Sequence, residues 1–201
     1  MGAASDADLV QRWRDGDETG REELFSRHYQ SIDRFFSVKV PRAAGDLTQQ
    51  TFLACVELLP RLEKAASFRA FLFGIARNEL LRFVRSAGRE DRRMQPYETR
   101  PGTGDFTPSG IVAHHEVQWL ILRALESLPV DLRIALELHY WEAMTSAEIA
   151  GVLKVPQSTV TTRLSRARAR LAKRVEELRG DGPAVDAAAL ERHARGLAAI
   201  S

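Results

Sequence analysis

Apolar residues recur every three or four positions along most of the chain, and no stretch alternates apolar and polar residues as a strand does. Phe68, Leu72 and Ile75, for example, share one stripe of a helix. This pattern predicts an all-α protein. Glycine, proline and capping residues between the stripes predict where the helices start and stop. The helices are expected at about residues 9–16, 17–40, 46–59, 67–88, 112–127, 131–141, 146–153 and 157–178.

A change in composition divides the chain into two small helical domains. Residues 89–111 are rich in proline and glycine and poor in large apolar residues, which is typical of a flexible connector. We therefore predict an N-terminal helical domain at 1–88, a linker at 89–111 and a second helical domain at 112–179. The tail at 180–201 has apolar residues at spacings that suit a short amphipathic helix.

Composition excludes several classes of protein. The single cysteine, Cys55, rules out an internal disulfide and a cysteine-built metal cluster, as expected in a reducing compartment. No apolar run approaches the ~18 residues of a membrane-spanning helix, and the N-terminus lacks the pattern of a secretory signal. We expect a cytoplasmic protein. The net charge of +2 does not indicate a nucleic-acid partner, so the local distribution of charge has to decide.

The second domain has the pattern of a helix-turn-helix. Thr145 and Glu148 fit a capping box at the start of one helix, and Pro156 ends a short turn before the next. That next helix has six basic residues and no acidic one between positions 163 and 174. Short polar and basic side chains can enter the major groove and neutralise phosphates, so we favour DNA binding over an ordinary solvated helix face. The candidate DNA-binding residues are Ser158, Thr159, Thr162, Arg163, Arg166 and Arg170.

The last helix of the first domain carries a second basic cluster mixed with aromatic and amide side chains. Phe71, Asn78 and Arg82 are of the types that hold an unpaired base and its backbone. Phe68 and Phe71 equally fit a core stripe, which is the favoured interpretation for either phenylalanine alone.

Two stretches resemble one known family, in the right order. The segment "LESLPVDLRIALELHYWEAMTSAEIAGVLKVPQSTVTTRLSRARARL" resembles region 4 of bacterial sigma factors of the extracytoplasmic-function group, within the sigma-70 family. The segments "GDLTQQTFLACVELLPRL" and "FRAFLFGIARNELLRFVRS" resemble region 2 of the same family. The resemblance implies a promoter-specificity subunit that binds core RNA polymerase, recognises the minus-thirty-five and minus-ten promoter elements and supports promoter opening. It allows an anti-sigma factor as a further partner.

The resemblance also implies roles for particular residues. In region 4 it assigns the minus-thirty-five duplex to the candidate face of the last helix. In region 2 it assigns polymerase binding to Asp46, Leu47, Gln49, Gln50 and Phe52. It assigns the minus-ten element to Asn78, to the position of Phe71 and to the loop before that helix, which includes Lys64 and Ser67. The basic residues Arg77, Arg82 and Arg85 join this candidate set because a bound single strand needs positive charge along its backbone.

At four positions this chain departs from the family pattern. Gln50 stands where a glutamate is usual, Phe71 replaces a tryptophan, and Arg82 replaces an acid. Lys154 replaces a turn glycine, so the turn should avoid positive φ or tolerate strain.

Two other classes of function compete with this interpretation. A stand-alone helix-turn-helix regulator, with a partner- or ligand-binding N-terminal domain, would bind its duplex tightly without polymerase. An enzyme acting on nucleic acid would need a catalytic constellation, and we find none, so we predict no enzymatic activity, metal, cofactor or small-molecule substrate. The histidines His114, His115 and His139 are expected at the surface or in packing. For Trp119, Tyr140 and Trp141 we favour the core over a contact with the polymerase flap.

Overall fold

The computed structural model describes residues 4–62, 67–90 and 112–179. These residues form α-helices, two single-turn 3₁₀ helices and short turns, with no β-strand among them. The predicted all-α class is confirmed. The helices are α1 (Asp6–Arg14), α2 (Glu18–Ser37), α3 (Ala44–Leu58), α4 (Phe68–Glu90), α5 (Val112–Glu126), α6 (Val130–Tyr140), α7 (Ser146–Leu153) and α8 (Gln157–Arg179).

The chain divides into two compact units, the first with α1 to α4 and the second with α5 to α8. Helix α4 extends to Glu90, two residues beyond its predicted end near Gly88. The rest of the predicted linker, 91–111, and the predicted tail helix at 180–201 lie outside the described residues.

Capping side chains determine where the first two helices begin. The Ser5 hydroxyl accepts from the Asp8 amide at the start of α1, and the Asp8 carboxylate accepts from the Ser5 amide, which completes a capping box. Asp17 caps α2 as predicted and accepts from the Thr19 amide. Hydrogen bonds from Thr19, and then from Arg12, hold the pKa of the Asp17 carboxyl below its usual value. The cap therefore stays charged near the helix N-terminus, where a negative charge stabilises the helix.

Helices α1 and α2 cross closely at Gly20. A β-carbon at Gly20 would lie 2.8 Å from the Leu9 carbonyl oxygen, so only glycine fits the crossing without a shift.

The core of the first unit lies between α2, α3 and α4. Phe36 and Phe73 are fully buried, and the Phe35 ring packs edge-on against Phe73 with 5.7 Å between centroids. Cys55 is buried on the inner face of α3, as predicted. Burial raises the pKa of its thiol to about 12, so this cysteine acts as a small apolar core residue.

The second unit is built around α6 and α8. Helix α6 is buried along most of its length, and the buried stripe of α8 consists of Val160, Leu164, Ala167, Leu171 and Val175. Arg133 donates to Glu137 at 2.8 Å one turn along α6, and both side chains are buried. The apolar stripe on α8 leaves its opposite face open to solvent.

The aromatic residues of the second unit correct one prediction. Tyr140 is buried, as predicted, and Trp141 is half-buried. Trp119 is 52% exposed, so the favoured placement in the core was wrong for this residue, and the alternative of a flap contact stays a prediction. The Arg123 guanidinium lies 5.5 Å from the Trp119 ring, which gives the exposed indole a cation partner on the surface of α5.

Candidate nucleic-acid interface

The helix-turn-helix of the second unit consists of α7 and α8. The Thr145 hydroxyl accepts from the Glu148 amide at 3.2 Å, and the Glu148 carboxylate accepts from the Thr145 amide at 2.9 Å. The predicted capping box is confirmed, and it fixes the first residue of α7. Helix α7 ends at Lys154, which has φ 53° and ψ 49°. The turn therefore tolerates the left-handed conformation with a lysine in place of glycine.

Five of the six candidate residues on α8 lie on or beside its open face. Ser158, Thr162, Arg166 and Arg170 are exposed, and Thr159 is half-buried. The Thr162 hydroxyl donates to the Ser158 carbonyl at 3.1 Å, which leaves its oxygen as an acceptor toward solvent. Because Arg166 and Arg170 are four residues apart, they lie one above the other about 6 Å along the helix axis.

The sixth candidate, Arg163, is placed differently. Its side chain is half-buried, and its Nη1 atom lies 3.5 Å from the Asp131 carboxylate at the start of α6. A second arginine, Arg168, donates from Nε to the Tyr140 hydroxyl at 2.8 Å. Both side chains therefore contact α6, and the open face of α8 contains fewer basic side chains than the six counted in the sequence.

Helix α4 carries the candidate single-strand residues. Asn78 is exposed, Phe71 and Arg77 are half-buried, and Phe68 is in the core against the His28 ring at 5.6 Å. The Ser67 hydroxyl accepts from the Ala70 amide at 3.3 Å, so Ser67 caps the helix as predicted. Lys64 lies outside the described residues.

The basic side chains toward the end of α4 make local contacts. Arg82 donates to Glu79 at 3.0 Å, and the Arg85 Nε donates to the Leu81 carbonyl at 2.9 Å. The Glu79 side chain is buried, whereas Arg82 is largely exposed. The pair keeps a buried carboxylate neutralised at the base of an open basic surface.

Helix α3 presents a mixed surface at the proposed polymerase-binding positions. Asp46, Gln49 and Gln50 are exposed, whereas Leu47 and Phe52 are buried in the core of the first unit. In the free chain these two apolar side chains shape the helix packing and offer little surface. Phe52 packs against Phe25 at 4.6 Å and stacks on Tyr29 at 6.0 Å, which holds it against α2.

Two exposed apolar residues on α3 were missed by the sequence analysis. Leu53 is 61% exposed and Val56 is 39% exposed, on the same side of α3 as Gln49. A signal was available, because α3 has more apolar residues than one buried stripe requires. Exposed apolar side chains grouped on one face are typical of protein contact surfaces.

The proposed polymerase-binding and DNA-binding residues of the first unit meet at one cavity between α3 and α4. This cavity of about 270 Å³ has Gln50 of α3 and Arg82 of α4 in its wall. The full lining is Ala43, Asp46, Leu47, Gln50, Glu79, Arg82, Phe83 and Ser86. Two of the positions that depart from the family pattern therefore line the same cavity.

The described residues contain no metal site and no membrane span. No three His, Cys, Asp or Glu side chains within 4–62, 67–90 and 112–179 come together as metal ligands. None of the helices in these ranges is long and apolar enough to cross a membrane. His139 accepts from Arg168 at 3.2 Å, a packing role, while the side chains of His114 and His115 lie outside the described residues.

Comparison with known families agrees with this arrangement of helices. The family model "Sigma-70 region 2" matches residues 24–90, and the model "Sigma-70, region 4" matches residues 118–171. Together the two matches cover more than half of the chain. The chain belongs to the sigma-70 family.

Individual relatives point to one group within that family. The "ECF RNA polymerase sigma-E factor" of Escherichia coli K12 is 26% identical over 183 residues, which cover 87% of this chain and 96% of the relative. The factor of the same name from Haemophilus influenzae is 25% identical and has 97% of its length covered. The chain is thus a sigma factor of the extracytoplasmic-function group. It confers promoter specificity on core RNA polymerase, with promoter DNA as its second partner.

Solved structures show the same fold. CnrH, solved in complex with the cytosolic domain of CnrY, superimposes with a TM-score of 0.62 at 24% identity over 86% of this chain and 97% of its own. The sigma factor RpoE of Bartonella quintana, solved with the anti-sigma factor NepR, has a TM-score of 0.60 at 22% identity over 77% of this chain and 96% of its own. Sigma factors are in general regulators of transcription initiation without enzymatic activity.

Proposed function

We propose that three separate surfaces of this chain bind the promoter duplex, the melted promoter strand and core polymerase. The open face of α8 reads the minus-thirty-five duplex, α4 and the residues before it hold the melted minus-ten strand, and the exposed side of α3 binds core polymerase. The proposed domains are those expected from the sequence, with region 2 at 1–88, a linker at 89–111, region 4 at 112–179 and a tail at 180–201.

The observation that carries the minus-thirty-five assignment is the surface of α8. Its exposed hydroxyl and guanidinium groups lie opposite a continuous buried stripe, behind a capped helix and a tight turn. Arginine can bond two acceptors of guanine at once, and serine or threonine can bond several base edges or phosphates. The proposed contact residues are Ser158, Thr159, Thr162, Arg166 and Arg170.

The minus-ten assignment is supported by the combination of side chains on α4. Asn78 exposes an amide that can pair with the edge of an unstacked base, and the half-buried Phe71 offers part of an aromatic face. Arg77, Arg82 and Arg85 place positive charge along the same helix for the strand's phosphates. Lys64 and Ser67 complete the proposed set at the segment before α4.

The polymerase-binding assignment is supported by the exposed side of α3. Asp46, Gln49 and Gln50 offer polar contacts, and Leu53 and Val56 add apolar surface that can be buried in an interface. Leu47 and Phe52 contribute by holding α3 in place. Because core polymerase is a cytoplasmic enzyme, we propose that the protein acts in the cytoplasm, without catalysis of its own and under the control of an anti-sigma factor.

The test is promoter-dependent transcription with purified core polymerase. Arg166→Ala and Arg170→Ala should each weaken initiation at a promoter selected from a random library by the wild-type holoenzyme. A lost base contact costs about 1–3 kcal/mol at one position, whereas a lost phosphate contact lowers binding to all sequences and the salt slope by about one. Arg21→Ala is the matched control, because Arg21 pairs with Glu18 on α2 and should leave initiation unchanged.

Two results would count against the proposed function. Tight, sequence-specific binding of the chain alone to duplex DNA, unaffected by core polymerase, would favour a stand-alone regulator. Unchanged initiation in the Arg166→Ala, Arg170→Ala double variant would remove α8 from promoter recognition.

A further inference from the structure

Two basic side chains of α8 contact α6 from opposite sides of the buried stripe. Arg163 lies 3.5 Å from the carboxylate of Asp131, in the first turn of α6. Arg168 donates to the hydroxyl of Tyr140, the last residue of α6, at 2.8 Å. The two contacts therefore lie at opposite ends of α6.

Helical geometry places the two arginines symmetrically about the stripe. At about 100° per residue, the five residues from Arg163 to Arg168 rotate the side-chain direction by about 140° beyond one full turn of the helix. The direction midway between the two arginines is therefore about 70° from each of them. That direction runs through the buried residues Ala167, Leu164 and Leu171. A roll of α8 in either direction would pull one of the arginines away from its partner on α6.

The Arg168 contact is specific in its chemistry. A guanidinium only donates, so the Nε2 atom of His139, 3.2 Å from an Arg168 nitrogen, must be the acceptor. The guanidinium also lies 5.7 Å from the Tyr140 ring. Tyr140 and His139 pack edge-on with 4.9 Å between ring centroids. These two adjacent residues of α6 therefore bind the guanidinium of Arg168 together.

We propose that Arg163 and Arg168 are positioning residues that fix the roll of α8, and that they are not DNA contacts. This inference rests on the proposed role of α8 in reading the minus-thirty-five duplex. Bidentate readout of a base edge requires side chains held to within about 10–20° of the productive geometry. Hydrophobic packing alone is not directional, whereas two ion-pair or hydrogen-bond contacts on opposite edges of the stripe define one orientation.

The basic residues of α8 therefore fall into two groups by role. Arg166 and Arg170 contact DNA, while Arg163 and Arg168 direct their guanidinium groups to α6. Loss of a DNA contact removes a charge from the interface and lowers the salt slope of binding. Loss of a positioning contact removes no contact to the phosphates, so it leaves the salt slope unchanged and impairs discrimination between sequences.

The experiment uses full-length protein in holoenzyme with two promoter fragments. One carries the minus-thirty-five sequence selected by the wild-type holoenzyme, and the other carries a scrambled sequence at that position. Affinities are measured over a range of salt concentrations for Tyr140→Phe, Arg168→Ala, their double variant, Arg166→Ala and the Arg166→Ala, Arg170→Ala double variant. Tyr140→Phe removes only the acceptor hydroxyl and keeps the buried ring.

We expect Tyr140→Phe and Arg168→Ala to lower the ratio of selected to scrambled affinity about tenfold, the scale of one hydrogen bond to a charged group. Binding to the scrambled fragment and the salt slope should stay at wild-type values. The Tyr140→Phe, Arg168→Ala double variant should lose no more than Arg168→Ala alone, because both changes remove one contact. A variant that merely unfolded would lose affinity for both fragments equally.

The outcomes separate this inference from the proposed function. If Arg168→Ala lowers the salt slope as much as Arg166→Ala, or if Tyr140→Phe keeps the full affinity ratio, the positioning role is overturned. If the Arg166→Ala, Arg170→Ala double variant binds both fragments like wild type, α8 does not read the duplex and both proposals fail. If Tyr140→Phe unfolds, the same affinity measurements are made on Asp131→Asn, which removes the charge that pairs with Arg163 at the other end of α6. An unchanged affinity ratio in that variant overturns the positioning role.

Discussion

The Nε2 atom of His28 lies 2.7 Å from a carboxylate oxygen of Asp6 and links α2 to α1. His28 is 6% exposed, and its ring packs against Phe68 at the start of α4. Burial lowers the pKa of His28 from its usual value of 6.5, and the nearby Asp6 carboxylate opposes that shift without cancelling it. A neutral His28 that donates to Asp6 is therefore the stable form of this three-helix junction.

This junction predicts a loss of stability in mild acid. The unfolded histidine takes up a proton as the pH falls through about 6.5, whereas the folded one resists protonation. Stability is therefore complete above the unfolded pKa and decreases below it, by up to about 1.4 kcal/mol per pH unit. Urea unfolding at several values between about pH 7.5 and 5.5 measures the free energy of unfolding, and the value near neutral pH is the reference.

His28→Gln serves as the control, because glutamine can donate to Asp6 and does not titrate in this range. The stability difference between wild type and the variant should shrink as the pH falls. Parallel curves for the two proteins would show that His28 is not the titrating group.

The left-handed turn between α7 and α8 predicts a stabilising substitution. Lys154 has φ 53°, where an L-residue with a β-carbon carries a cost of about 1–2 kcal/mol that glycine does not. Lys154→Gly should raise the free energy of unfolding by about 1 kcal/mol after the larger chain entropy of glycine is deducted. Lys154→Ala removes the same side chain and keeps the strain, so it should give no gain. Equal stability of the two variants in urea unfolding would contradict this account.

The buried ion pair within α6 predicts a large loss. Arg133 and Glu137 are nearly inaccessible and lie 2.8 Å apart, so Glu137→Gln leaves a buried guanidinium without its counter-charge. The expected cost is about 3–5 kcal/mol in the free energy of unfolding. Glu126→Gln breaks the pair with Arg123 on α5, which is over one third exposed, and should cost less than about 1 kcal/mol. Similar losses in the free energy of unfolding for the two variants would mean that burial does not determine how much the Arg133–Glu137 pair stabilises the fold.

Much of the fold could be predicted from the sequence because its local signals agree. The periodic stripes and the caps at Ser67, Thr145 and Asp17 predict helix ends close to those observed. Each of these signals acts within about one turn of helix, so no knowledge of the tertiary structure is needed.

The structure adds to or differs from the sequence pattern where the position of a long side chain or a helix surface depends on contacts with other helices or other proteins. Periodicity places Arg163 beside the open face of α8, yet the side chain reaches Asp131 on another helix. Trp119 fits an apolar stripe, yet it lies in solvent beside Arg123. Leu53 is one of the apolar residues on α3 beyond those that one buried stripe requires, and the sequence pattern alone does not say that such a residue is exposed for the proposed contact with another protein.

The exposed apolar side of α3 predicts a loss of polymerase affinity. Leu53→Gln and Val56→Gln should each weaken binding to core polymerase, because each removes apolar surface that the interface would bury. A loss of about tenfold per residue corresponds to about 1.4 kcal/mol. Val84→Gln is the control, since Val84 is a comparably exposed valine on α4. Unchanged affinity of the Leu53→Gln, Val56→Gln double variant in a competition assay would place the polymerase contact elsewhere.

The exposed amide of Asn78 predicts a defect that follows polymerase binding. Asn78→Ala removes a donor and an acceptor from the surface of α4 without disturbing the core, so core affinity should stay at the wild-type value. Promoter opening should decrease, because an extruded base loses its hydrogen-bond partner and opening costs a few kcal/mol of unstacking. Permanganate footprinting of unpaired thymines measures opening directly. Gln11→Ala, which changes an exposed polar residue on α1 away from the proposed contact surfaces, should open the promoter normally. Wild-type permanganate reactivity in Asn78→Ala holoenzyme would exclude the amide from the capture of the melted strand.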